Sequence, residues 1–328
     1  MISLMAPTLD DVARAAGVSR STASRVLAGY GPASPTARDR VRAAADQLGY
    51  APDPVARALV TGAGFRLVVA IAGASPAVLD DPYVDRVVRS AAETGAPYDV
   101  GVSLVWLPVD DPVPLLRRLA EDRGVRGLIV ANTTAEVLAA MPPALAGRVA
   151  SIGVGSGVVP SFDVDNGGAT TAMLHHIYAA GRRRVAMVTG PRWMPCTQRP
   201  IDAYRAAVGE VGLPVRLVPG DFTAASGRAA AVRILDRWPD TDAIFATSDA
   251  MALGAIAALR SRGLDVPGDV AVAGFDDIPF ASLSLPSLTT ATHPVEHIAA
   301  GAASAVLTGA RVPLTTAYPS HVVARETA

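Results

Sequence analysis

The sequence predicts an α/β chain: an all-α N-terminal domain followed by two lobes built on parallel β-sheet. Three observations carry that prediction. Residues 8–49 hold three short helical patterns, each opened by a hydroxyl residue at Thr8, Ser19 or Ser34. From residue 66 onward apolar runs alternate with amphipathic segments, as strands do when helices cross between them. The 328 residues exceed an ordinary single domain, and the eight strand-like runs are more than one open sheet usually takes, so two lobes are expected.

The helical patterns can be taken in order. Thr8 and Asp11 resemble a capping box with Asp in place of Glu; Leu9, Val12, Ala13 and Ala16 then share one face, and Gly17 ends the helix. Ser19 caps a second helix that turns Ala23, Val26 and Leu27 inward and leaves Arg20, Ser21, Ser24 and Arg25 on the opposite face. Ser34 and Pro35 open a third, which buries Val41, Ala44, Ala45 and Leu48 and stops at Gly49. Two short helices joined by a Gly-containing turn, the second showing basic and short hydroxyl side chains, form a helix-turn-helix. Arg25 has the fork that fits guanine O6 and N7, and small serines let the helix approach bases or phosphates. A small helical bundle with a solvated polar face has the same spacing and stays open on these residues alone. Residues 8–62 carry seven Arg against five Asp, a modest positive charge. One copy would bind DNA weakly, which argues for a homodimer on a double-stranded, pseudo-palindromic operator.

Composition narrows the setting. Half the residues are hydrophobic and 18% are charged, which suits buried parallel sheet and excludes wholesale disorder. Every basic residue is Arg, and the net charge of −1 selects no partner. Cys196 is the single cysteine, so no intrachain disulfide can form and a reducing compartment fits best. The opening MISLMAPTLDD lacks a basic leader with a long apolar core, and no run approaches the roughly 18 apolar residues of a membrane span. A soluble, cytoplasmic protein with no membrane contact is expected.

The run TLDDVARAAGVSRSTASRVLAG followed by LGYAPDPVARALVTG resembles the DNA-binding and hinge segments of the LacI/GalR family of bacterial transcription regulators. The resemblance continues in VRGLIVAN, in DNGGATTAMLHHIYAAGRRRVAMVTGP, in DAIFATSDAMALGAIAALRSRGLDVPGDVAVAGFDDIPFASLSLPSLTTATHP and in the ending HVVARETA. It spans nearly the whole chain. It implies a repressor-type regulator whose operator affinity answers to a small effector, a sugar or nucleoside-like ligand, held between two lobes of periplasmic-binding-protein-like fold. The implied organisation is a helix-turn-helix domain over 1–50, a hinge helix and linker over 51–64, and an effector-binding and dimerisation domain over 65–328. Its lobes are expected over 65–160 with 293–328, and over 161–292. Nothing in the final residues forms a further heptad segment, so the dimer is expected to be the final assembly.

The family also accounts for a fourth helix, capped at Asp53, with Pro54 in its first turn and Gly62 at its end. It is too short to be stable alone. By resemblance it folds against its twin in a second subunit and in the minor groove, where Leu59 wedges between base pairs. A plain linker helix is the reading the residues allow without the family. The candidate DNA-contacting residues are therefore Thr8, Ser19, Arg20, Ser21, Thr22, Ser24 and Arg25, with Arg57 and Leu59 of the fourth helix.

Beyond residue 65 the expected strands are 66–73, 99–107, 127–132, 149–154, 184–190, 215–220, 243–248 and 269–275. Ligands of parallel sheets sit past the carboxyl ends of the strands. The polar residues there are Ser75, Asn132, Arg192, Ser248, Asp249 and Asp276, and Tyr83 is grouped with them. By resemblance, Asp276 of GFDD is the acidic effector contact and Phe222 of GDF the aromatic that stacks on a ring. The family's Arg lies four residues before an aromatic; here Pro200 holds that place before Tyr204, and Arg199 stands one step earlier. Asp249 suits a helix cap as well as an effector contact.

Two other strings carry catalytic patterns. HPVEH, 293–297, matches an inverted zinc-peptidase motif, but Pro294 places His293 ahead of the helix and out of stack with His297. GVGSG, 153–157, has phosphate-loop glycines with no helix start behind it. No metal, cofactor or catalytic residue is expected. A zinc hydrolase is the alternative that HPVEH would support, and a transported solute receptor the one that the two lobes would support; the second has no use for residues 8–62.

Overall fold

The computed structural model describes residues 7–29, 32–51 and 64–328. The chain divides into two compact units, Met1–Phe65 and Arg66–Ala328.

In the first unit the helices are Leu9–Ala16 (α1), Arg20–Leu27 (α2) and Pro35–Leu48 (α3). Their caps are those expected. Thr8 and Asp11 form a reciprocal capping box, and the hydroxyls of Ser19 and Ser34 accept from the backbone N–H of Thr22 and Ala37 at 3.2 Å. Gly17 and Gly49 close α1 and α3 at φ +62° and +63°, backbone that favours a residue without Cβ. Val12, Val26 and Val41 meet a set of alanines at the centre. Leu48 was expected inside and is 39% exposed. The reason is length: α1 and α2 have eight residues and α3 has fourteen, so the last turn of α3 outruns its partners. The expected hinge helix, with Arg57 and Leu59, lies outside the described residues, which omit 52–63.

The second unit contains strands Arg66–Gly73 (β1), Gly101–Pro108 (β2), Val125–Ala131 (β3), Val149–Ile152 (β4), Ser161–Val164 (β5), Val185–Thr189 (β6), Leu217–Pro219 (β7), Ala243–Ala246 (β8), Ala271–Asp276 (β9), Thr289–Thr292 (β10), Thr315–Tyr318 (β11) and Val322–Val323 (β12). They form two six-stranded sheets, ordered β11-β5-β4-β3-β1-β2 and β12-β10-β9-β8-β6-β7. All pairings are parallel except β10 with β12. Helices on both faces bury central strands completely, which is why β1 reads LVVAIA with no polar alternation.

The eight expected strands are present, each end within two residues of its expected place. The expected lobe division needs correcting. β5 belongs to the first sheet although it lies past residue 160, and β12 returns to the second although it lies past 293. Both strands, with β10 and β11, are four residues or shorter; β5, β10 and β11 mix Ser, Thr or Asp with apolar residues and β12 is only two valines, so no apolar run marks them. The chain passes between sheets after β5, after β10 and between β11 and β12.

Candidate functional site

The first candidate is the outer face of α2. The Thr8 hydroxyl is engaged in its own capping box, donating to Asp11 Oδ2 at 2.6 Å. Ser19 Oγ lies 3.0 Å from Ser21 Oγ and 2.9 Å from Thr22 Oγ1, so the start of α2 is a hydroxyl cluster that also caps the helix. Arg25 folds back along α2, its Nε donating to the Ser21 carbonyl at 3.2 Å and its Nη2 to Thr22 Oγ1 at 3.4 Å. Arg20 meets Asp10 across the turn at 3.4 Å. The Arg20–Asp10 pair is exposed, and an exposed pair costs little to open, about 0–1 kcal/mol. Ser21 and Arg20 are exposed, Ser24 and Arg25 half-buried. The face can therefore present two guanidinium forks and small hydroxyls over a core that stays closed beneath Ala23 and Val26.

The second candidate is a cleft between the two sheets, enclosing about 110 Å³, room for a ligand and well beyond one or two waters. Of the expected residues, Tyr83, Asn132, Phe222, Ser248 and Asp276 line it. Three of those, Asn132, Phe222 and Asp276, hold φ of +58°, +71° and +113°. Left-handed backbone in side chains with a Cβ costs of the order of 1–3 kcal/mol each and tends to gather at functional sites. The strand ends are bent to aim these side chains inward. Gly190 makes this possible for Phe222, whose ring lies where a Cβ on Gly190 would stand.

The cleft does not collect all the expected residues. Ser75 and Arg192 are exposed and lie outside its lining. Asp249 is fully buried behind it: Oδ2 accepts from the Ile278 N–H at 2.9 Å and Oδ1 from the Thr290 hydroxyl at 2.5 Å. It ties the head of one helix to the two segments that follow β9, and burial pushes its carboxyl up to about 8. Capping falls to Ser248, whose Oγ accepts from the Met251 N–H at 3.3 Å. Arg199 does not line the cleft either; it pairs with Asp163, which does.

Asp163, Asp81 and His293 are lining residues that sequence reasoning missed in this role. Asp163 had a signal, an acid in the middle of the wholly buried strand SFDV. Asp81 caps the following helix by accepting from the Tyr83 N–H at 2.9 Å. His293 Nδ1 lies 2.9 Å from Asp276 Oδ1, between the rings of Tyr83 and Phe275, at centroid distances of 5.2 and 5.6 Å. Burial moves this pair toward its uncharged forms, raising the Asp276 carboxyl and lowering His293 to about 4. Burial likewise raises Asp81. Behind them Arg86 grips Glu296 with two bonds of 2.8 Å and donates to the carbonyls of Asp276 and His293 at 3.1 and 2.9 Å. Glu296 of the zinc-like string is thus committed to an ion pair, and among the described residues no set of His, Cys, Asp or Glu is grouped to hold a metal.

Comparison with known proteins bears on both candidates. Residues 8–53 match the family model of bacterial regulatory proteins, lacI family, and residues 174–328 that of a periplasmic binding protein-like domain. The HTH-type transcriptional regulator CelR of Thermobifida fusca is 33% identical over 320 residues, covering 88% of each protein. Among solved structures, a complex of the regulator CelR with cellobiose is 28% identical with a TM-score of 0.72, covering 98% of this chain and all of that one. A lac repressor dimer bound to operator and an anti-inducer is 25% identical with a TM-score of 0.83, covering 98% of this chain and 99% of that one.

Proposed function

Because the chain belongs to the lacI family of bacterial regulatory proteins, we propose that it represses transcription as a homodimer on a pseudo-palindromic operator, and that a sugar or nucleoside-like effector in the cleft sets its operator affinity. The observation that carries this reading is the division of labour in α2, whose inner face closes a core while its outer face holds Arg20, Ser21, Ser24 and Arg25 outside the buried core residues. Those side chains read bases and phosphates in the major groove. The hinge residues Arg57 and Leu59 belong to the same reading, at the minor groove. In the cleft, Asp276, Asn132 and Ser248 accept or donate to ligand hydroxyls while Phe222 and Tyr83 offer ring faces. Asp276 comes from the second sheet, Asn132 from the first, so a ligand that touches both selects one lobe geometry over another. Phe280, Leu283 and Leu285 stand 61%, 76% and 79% exposed in one short segment, a patch that a second copy of the chain covers in this account.

The reading also supports a cytoplasmic location and no catalytic activity; no helix among the described residues is long and apolar enough to cross a membrane. Selecting bound sequences from random DNA, with and without sugars and nucleosides, tests it. The expected result is a two-fold symmetric site whose enrichment changes with one class of compound. Enrichment of no sequence would contradict it.

A further inference from the structure

The polar groups of the cleft are unevenly spent. Thr133, Thr170 and Thr247 line it, yet each has given its hydroxyl proton to a backbone carbonyl, at 2.8, 2.8 and 3.2 Å. Thr197 does the same toward Met194 at 2.7 Å. Asn166 uses its amide N–H on the Cys196 carbonyl at 3.2 Å, and its Oδ1 is buried with no partner. His293 Nε2 is likewise buried without one. Asn132, Ser248 and Tyr83 line it as well, three carboxyl groups, of Asp81, Asp163 and Asp276, join them, and among the described residues the lining contains no Arg. The two guanidiniums that bond to lining residues are occupied, Arg199 by Asp163 and Arg86 by Glu296.

We infer that the cleft takes hydroxyl-rich ligands without negative charge, and rejects the phosphorylated or carboxylated forms of the same compounds. The inference rests on the reading of the cleft as the effector site. A phosphate brought into this space would lose its water, meet no free cation and face three carboxyl groups, whereas a hydroxyl brings the donors that Asn166 Oδ1 and the carboxyls lack. His293 adds no positive charge, since burial lowers it to about 4. The signal is therefore a compound ahead of any phosphorylation. Reactions that release free hydroxyls, such as hydrolysis of a glycoside, supply it. Transfer of a phosphoryl group from a nucleoside triphosphate to one of its hydroxyls removes it.

Paired calorimetric titrations of the full chain at pH 8 test this, using glucose, cellobiose, maltose and adenosine against glucose 6-phosphate, cellobiose 6-phosphate, maltose 6-phosphate and adenosine 5′-monophosphate. Each compound that binds is expected in its free form, with its phosphate weaker on the order of 100-fold, the size of one unscreened charge contact in a partly buried site. Asp81→Asn keeps an N-cap and removes a charge, and is expected to narrow the ratio about tenfold. A phosphate that binds as tightly as its free form, or an unchanged ratio in D81N, overturns the inference while leaving the effector reading in place. Binding by no member of any pair overturns both.

Discussion

The helical unit is centred on Val12, Val26 and Val41 with five alanines around them, whereas the larger unit buries Tyr204, Phe245, Leu67, Ile71 and many others of their size. Buried area sets the hydrophobic contribution, so the small unit has a thin reserve and leans on its three caps, each contributing about 1 kcal/mol. The larger unit has apolar area in surplus. There it is the polar joints, Asp249 above all, that fix how the segments after β9 lie beside the cleft. A unit that meets DNA is held by local hydrogen bonds on its surface; a unit that meets a small ligand is held by long-range ones in its interior.

The largest expected effect follows from the interior joint. Asp249→Ala strands the Ile278 N–H and the Thr290 hydroxyl and is expected to cost about 2–5 kcal/mol. Urea unfolding followed by tryptophan fluorescence measures it, and all three Trp residues lie in the larger unit. A loss under about 1 kcal/mol would show that the joint is dispensable. Next comes Arg25→Ala, expected to weaken operator binding by about 1–3 kcal/mol per half-site and to relax preference at one symmetric pair of positions. An equal loss on every DNA sequence would assign Arg25 to phosphate alone. Ser19→Ala should then lower the stability of the helical unit by about 0.5–2 kcal/mol without DNA, read as helix loss by circular dichroism. No change would mean that the hydroxyl cluster contributes only to DNA contact.

Much of the small unit was legible because its signals are local. Thr8, Ser19, Ser34, Gly17 and Gly49 each act within a turn of their own position, and each sits where its chemistry predicts. Leu48 misled because spacing marks a face and says nothing of whether the neighbouring helix reaches it. In the larger unit the long apolar strands were legible for their burial on both faces, while β5, β10 and β11 were hidden by brevity and polar content and β12 by brevity alone. The cleft was half legible. Asn132 and Asp276 stand at strand ends and could be placed from topology, and Phe222 came from the family resemblance, but Asp163 sits inside a strand and Asp81 among loop residues. Asp249 stands at a strand end too, and only the positions of Ile278 and Thr290, 29 and 41 residues away, turn it from a ligand contact into a joint.

A smaller effect concerns protons. Burial raises the carboxyls of Asp81 and Asp276 in the free cleft, and hydroxyl donors from a ligand favour their ionised forms. Binding is then expected to release protons and to tighten as pH rises from about 5 to 8, the interval above the ordinary carboxylate range. Calorimetry in buffers of different ionisation enthalpy detects the release. Proton uptake on binding would reverse the assignment.

If occupancy of the cleft controls DNA binding, operator affinity by fluorescence anisotropy for the natural chain and for Asp276→Ala shows it. A saccharide or nucleoside that binds the natural chain is added in each case. Equal affinity is expected for the two proteins without ligand, and a shift of tenfold or more, about 1.4 kcal/mol, in the natural chain only. An Asp276→Ala protein that shifts as far, at the same ligand concentration, would contradict it.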